Sequence, residues 1–216
     1  MFGITMGTYI AFLIATFVIV IVPGPDHVYL GAVALRDGRR AGIIATTGMA
    51  LSMTIHTLIA VTGLGAALAA IPAALDLVRV GGALFLICLG IATLRKRSDS
   101  AQQKPPPSGG VLTRAMVVNL TNPKIALFFL AFLPQFVAPD SGTVPLQLLI
   151  LGLSFVVLGF IVDAIYAIGG AMAGRFLTAR GTRARPLTAV SGIVYLGLAA
   201  IILASLAFDS ASLPGG

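Results

Sequence analysis

The chain has 216 residues, of which 58% are hydrophobic and only 10% charged, with a mean hydropathy of +1.04. That balance excludes a soluble globular domain and fits a polytopic helical membrane protein. The net charge of +7 would suggest nucleic acid in a soluble protein, but the basic residues sit in short loops between apolar runs, where membrane topology accounts for them.

The first apolar run reads as a helix from roughly Thr5 to Val22. No Lys or Arg precedes Arg36, so the run lacks the basic start of a cleaved signal peptide and is expected to stay as a helix. It breaks at Pro23-Gly24-Pro25 and continues to about Leu35. Each proline lacks an N–H, and its ring clashes with the preceding turn. In hydrocarbon such a break survives only where protein or a polar cavity satisfies the freed groups. Pro25 and Asp26 also suit the first turn of a restarted helix, one for its fixed φ and the other for the positive end of the dipole. The break therefore reads either as a capped kink or as a place where something polar is held. The whole run, about 30 residues or near 45 Å of helix, is too long for one straight span and is expected to bend here.

A loop at 36–40 follows, then helix 2 from Ala41 to about Ala70, a turn marked by Pro72 and Asp76, and helix 3 from about Leu77 to Leu94. The single cysteine, Cys88, lies in helix 3 and rules out an internal disulfide. Residues 95–110, rich in Lys, Arg, Ser, Pro and Gly, read as a flexible linker that divides the chain almost in half. The second half opens at Val111, is interrupted at Thr121-Asn122-Pro123-Lys124, and continues as helix 4 to about Val137. Helix 5 runs from about Pro145 to Ala173, a basic loop carries Arg175, Arg180, Arg183 and Arg185, and helix 6 runs from about Leu187 to Phe208. The tail, 209–216, reads as disordered.

Six spans place 12 of the 14 basic residues on one side, which by the positive-inside rule is the cytoplasm; both termini are then outside. The halves also resemble each other. Val80-Gly81-Gly82 in helix 3 matches Val190-Ser191-Gly192 in helix 6; His56, Ala60 and Gly63 in helix 2 match Asp163, Ala167 and Gly170 in helix 5. Helices 1 and 4 both break at proline. With three spans each, 1–94 and 111–208 are inserted in opposite senses. The expected fold is thus an all-α transmembrane bundle of two inverted three-helix repeats, the sequence pointer to a secondary transporter with its binding site near the breaks.

Four segments carry a family resemblance: Pro23-Gly24-Pro25-Asp26, Gly38-Arg39-Arg40-Ala41-Gly42, Asn119-Leu120-Thr121-Asn122-Pro123-Lys124, and Phe128-Phe129-Leu130-Ala131-Phe132-Leu133-Pro134-Gln135-Phe136. In their order and spacing the chain resembles the LysE/RhtB family of bacterial amino-acid exporters over nearly its full length. The resemblance implies efflux of amino acids or close derivatives, threonine and homoserine being typical of the nearest-looking branch. It further implies antiport with protons in the inner membrane, and often a homodimer.

Asp26 and Asp163 are the acids inside apolar runs, where a carboxylate must be paired, protonated or facing a polar cavity. Burial favours the protonated form of a carboxyl, which is how either could carry a proton; capping explains Asp26 equally well. Asn122 and Pro123 suit a helix start, which offers free N–H groups to a substrate carboxylate. Lys124 could hold that carboxylate, pair with an aspartate or snorkel to the interface. His56 shares a face with Ser52 and Gly48 and is either a core hydrogen-bonding residue or a proton carrier. Gln135 and Tyr166 are possible lining residues. Substrate binding is thus expected at Pro23, Gly24, Pro25, Asp26, Asn122, Pro123, Lys124 and Gln135, and proton coupling at Asp163, Asp26 and His56.

Competing readings are a passive channel, a metal transporter using His27 and His56 with the aspartates, and a membrane-embedded enzyme. The last lacks a reactive constellation: there is no glutamate, no cysteine pair and no Gly-x-Ser-x-Gly. No cofactor and no nucleic-acid partner is expected.

Overall fold

The computed structural model describes residues 3–22, 24–66, 110–138 and 143–177, with single helical positions between 80 and 91. Pro23, the turn at Pro72 and Asp76, the linker from 95 to 109, the end of the basic loop, helix 6 and the tail lie outside the described residues, as does most of helix 3. Among the described residues every regular element is helical.

Helix α1 is Met6–Ile21, started by Thr5, whose hydroxyl accepts the Thr8 N–H at 3.1 Å. The chain then turns extended at Val22 and Gly24 before α2, Pro25–Ile59. Within α2, Gly38 adopts φ 83° and ψ 177°, a conformation that a side chain disfavours. A Cβ added at Gly42 would lie 3.1 Å from the Ala34 Cβ. Eight residues of straight helix would separate those positions by about 12 Å, so the chain folds back at Gly38 into two arms, 25–37 and 39–59. The loop expected over 36–40 is therefore a one-glycine turn. Arg36 and Asp37 remain helical before it, joined by a bidentate contact at 3.0 and 2.9 Å, and the guanidinium holds the Asp37 carboxyl below its ordinary range.

The second arm continues through a π-helical turn, Ala60–Leu64. After the gap come α3, Val111–Leu120, and α4, Pro123–Leu127, which loosens into a π stretch over Phe128–Phe132 and a 3₁₀ turn over Leu133–Phe136. The break between Val111–Leu120 and Pro123–Phe136 bends the path by 51°. Helix α5 is Val144–Leu177.

Small residues set the packing. Added Cβ atoms at Gly42, Gly65, Gly152 and Gly159 would meet Ala167, Pro145, Thr57 and Met53, so the second arm of α2 runs antiparallel to α5 at close range. Helix α1 runs parallel to α5: the Tyr9 and Ser154 hydroxyls are 2.8 Å apart at one end, and Tyr166 donates to the Ile21 carbonyl at 2.9 Å at the other. Phe12, Phe128, Phe129, Phe132 and Phe155 fill the core between these elements, the rings of Phe128 and Phe155 stacked at 4.2 Å. The outer faces are apolar too. Leu153, Val157, Ile161 and Ile165 form an exposed stripe on α5, while Asp26, His27, Lys124 and Asp163 are buried. That inside-out distribution belongs to a bilayer solvent. Within Asp26–Leu64 the arm that follows the turn at Gly38, and Val144–Gly169, are long and apolar enough to cross a membrane, and the bent pair from Val111 to Phe136 would make a further span.

Candidate functional site

Two helix starts with the same local chemistry come face to face. Gly24 caps α2 and Asn122 caps α4, each followed by a proline, Pro25 or Pro123. Asn122 Oδ1 accepts the Lys124 N–H at 3.1 Å. Gly24 has no side chain to do the same. Instead the His27 ring reaches back, and its Nδ1 accepts the Gly24 N–H at 3.3 Å. This is half of a capping box, with histidine in the place Glu or Gln usually takes.

Lys124 joins the two starts. Its Nζ lies 2.7 Å from Asp26 Oδ2 and donates to the Val22 carbonyl at 3.2 Å, so it grips both sides of the first break from the second. A cation at a helix N-terminus opposes the dipole, and these two contacts offset that cost. Gly24 is what lets the lysine in: a Cβ there would press on Asp26 Oδ1 and stand 3.2 Å from Lys124 Nζ.

Asp163, inside α5, closes the cluster. His27 Nε2 is 3.2 Å from Asp163 Oδ1, and its Nδ1 is 3.6 Å from Asp26 Oδ1. Tyr166, on the same face of α5, packs against the imidazole with centroids 4.1 Å apart and the rings tilted by 32°. Asp26, His27, Lys124 and Asp163 are only 2%, 5%, 4% and 2% exposed, which places all four charges or potential charges away from water. Lys124 therefore pairs with Asp26 and does not snorkel.

Buried ion pairs rarely out-stabilise apolar packing, so such a cluster is weak as a stability device. It is also incompletely satisfied. Among the described residues, Asp26 Oδ1, Asp163 Oδ2, His27 Nε2 and Asn122 Nδ2 are buried without a hydrogen-bond partner; the 3.2 Å approach of Nε2 to Asp163 is off hydrogen-bond alignment. A purely structural network would satisfy these atoms. Acceptors on Asp26 and Asp163 suit an ammonium group. The Lys124 ammonium and the Asn122 amide suit a carboxylate.

Of the residues singled out from the sequence, Gly24, Pro25, Asp26, Asn122, Pro123, Lys124 and Asp163 gather here. Two do not. Gln135 donates to the Ala131 carbonyl of its own helical stretch at 2.8 Å, at the far end from Lys124. His56 stacks on Phe129 at 5.5 Å. By the antiparallel register, it lies roughly 10–15 Å along α5 from Asp163. The two histidines therefore do not share a site, and among the described residues no group of three or more His, Cys, Asp or Glu is arranged to hold a metal ion. His27 itself was read only as a metal-ligand candidate. Its position three residues after the capping glycine was the available signal for its actual contact.

Comparison with known proteins follows the same segments. Residues 17–206 match the family described as LysE type translocator. The chain is similar to a leucine efflux protein of Klebsiella pneumoniae subsp. pneumoniae, 27% identical over 196 residues, covering 89% of this chain and 92% of the relative. It is similar to a leucine efflux protein of an Enterobacter species, 28% identical over 193 residues, covering 88% and 92%. A leucine efflux protein of Salmonella typhi is 27% identical over 199 residues, covering 89% and 92%. No solved structure gives a significant match.

Proposed function

Because this chain belongs to the LysE type translocator family, we propose that it is a secondary transporter that exports amino acids across the bacterial cytoplasmic membrane by proton antiport. The observation that carries the reading is the buried Asp26–Lys124 pair, set between two broken-helix starts with His27 and Asp163 against it. A zwitterion offers the cluster the same two charges that it already holds. Its carboxylate takes the place of Asp26 at Lys124, and its ammonium takes the place of Lys124 at an aspartate. Exchange of one pair for another avoids stranding a charge in low dielectric.

The substrate we propose is an amino acid with an uncharged side chain: among the described residues the cluster holds one lysine, which the substrate carboxylate occupies, and of its two aspartates one meets the substrate ammonium while the other, Asp163, is kept for the exchanged proton. Leucine, named for the relatives, and threonine or homoserine, suggested by the resemblance, both meet that condition. Two inverted repeats with both termini outside remain our topology. The antiparallel run of α2 against α5, the parallel run of α1 and α5, and the matched starts at Gly24-Pro25 and Asn122-Pro123 support it.

The test uses purified protein in liposomes preloaded with leucine, threonine, homoserine or lysine, with and without an imposed proton gradient. Gradient-driven release of an uncharged-side-chain amino acid, with the gradient effect lost in Asp163→Asn, is the expected result. Release that ignores the gradient in parent and variant alike would make the protein a facilitator. No release of any of the four would sink the substrate class.

A further inference from the structure

The His27 contacts hold more than a structural cap. Nδ1 accepts the Gly24 N–H at 3.3 Å, so it carries no proton in this arrangement, and the ring proton is on Nε2, beside Asp163. Only 3.6 Å from Nδ1, Asp26 Oδ1 is buried with no partner among the described residues. A second proton on His27 can go only to Nδ1. It would abolish the acceptor for Gly24 and create a donor facing the unpartnered Asp26 oxygen. Among the described residues, the charged and titratable groups facing the ring are Asp26 from α2 itself, Asp163 and Tyr166 from α5, and Lys124 from α4 through Asp26; the end of α1 and Val22 after it bring the Ile21 and Val22 carbonyls near the cluster.

We infer that His27 is a positioning residue that couples proton binding to the geometry of the first helix break: neutral, its Nδ1 caps Gly24; protonated, it lets Gly24 go and donates to the free oxygen of Asp26, loosening the hold of Lys124 on that carboxylate. The inference rests on the transport reading above for its consequence, the release of Lys124 to a substrate carboxylate, but not for its local step. In that step the proton enters Nδ1, the Gly24 N–H loses its acceptor, and the imidazolium becomes a second cation competing with Lys124 for one carboxylate. Two cations on Asp26 weaken the hold of each, and Lys124 is the one that also bridges to α4. Gly24 is the hinge position of the break, with no side chain to replace the lost cap.

The local step is read without any substrate. Protein with ¹⁵N-labelled histidine and glycine is placed in nanodiscs, and His56→Asn serves only to assign the two imidazoles. The sample is acidified stepwise, and the imidazole ¹⁵N shifts report when His27 Nδ1 gains its proton; the Gly24 amide resonance should move in that same step. In His27→Asn, whose side-chain oxygen keeps an acceptor near the Nδ1 position but takes up no proton, the Gly24 amide should stay fixed through the same series. A Gly24 resonance that titrates equally in His27→Asn, or that stays still while His27 protonates, overturns the inference.

Liposome transport gives the second reading. With the parent exporting leucine, His27→Asn is expected to lose the stimulation of leucine release by a proton gradient. Undiminished gradient stimulation in that variant also overturns the proposal. If the parent moves no leucine, the transport reading fails there, while the Gly24 titration still decides the role of His27.

Discussion

Replacing Lys124 by methionine keeps most of the side chain's volume and removes its charge. Lys124 is 4% exposed and Asp26 2%, with 2.7 Å between Nζ and Oδ2, so the variant leaves a carboxylate buried. Among the described residues Asp26 Oδ1 already lacks a hydrogen-bond partner, and the other cationic candidate, His27, is 3.6 Å away. Removing one member of a buried pair costs about 3–5 kcal/mol. At roughly 2–4 °C per kcal/mol for a chain of this size, the melting temperature should fall by about 6–20 °C. The double variant Asp26→Asn/Lys124→Met buries neither charge and should recover most of that loss, giving a large coupling in a double-mutant cycle. The chain has no tryptophan, so the melt is followed by the helical circular dichroism signal in detergent. A single variant that melts within about 2 °C of the parent, or a double variant that melts below both singles, would refute the claim that this pair is dry and mutually dependent.

Gly24→Ala should abolish export with little change in helix content, because the new Cβ presses on Asp26 Oδ1 and crowds Lys124 Nζ; a transport assay beside a dichroism spectrum checks both. Gly48→Ala should lower stability by about 1–3 kcal/mol in thermal melts, since its Cβ would overlap the Leu112 backbone carbonyl and meet Ala115 at 3.1 Å. Gly31→Ala, with nothing within 4 Å, is the control and should be neutral or stabilising by up to about 1 kcal/mol. Gly38→Ala should cost about 1–2 kcal/mol by the same melts, through the φ of 83° at the turn between the arms. Tyr166→Phe removes the 2.9 Å hydrogen bond to the Ile21 carbonyl but keeps the ring contact with His27; a loss of about 0.5–1.5 kcal/mol is expected, with gradient-driven transport retained.

The sequence by itself determined the solvent, the breaks and the element types. Apolar runs of span length leave no other class, and proline with a capping residue interrupts a helix wherever it falls, so Pro23-Gly24-Pro25 and Asn122-Pro123 were legible without coordinates. The acids were legible for the same reason: Asp26 and Asp163 stand in hydrocarbon-length runs, where a charge demands an explanation. Partners were not. Local pattern says that Lys124 must find an anion or the interface, but Asp26 is 98 residues away, and only packing brings Nζ to 2.7 Å from it. Fold-back at Gly38 was read as a longer loop because its neighbours are charged; the structure decides it through one positive φ that glycine alone takes easily. His56 and Gln135 looked equivalent to the cluster residues as polar groups in apolar runs. Register along α5 and a hydrogen bond within a helical stretch set them apart, and neither is written in local composition. His27 is the converse: its neighbour Asp26 drew attention in the sequence, while the imidazole's place between Gly24, Asp26 and Asp163 exists only once α2 and α5 have met.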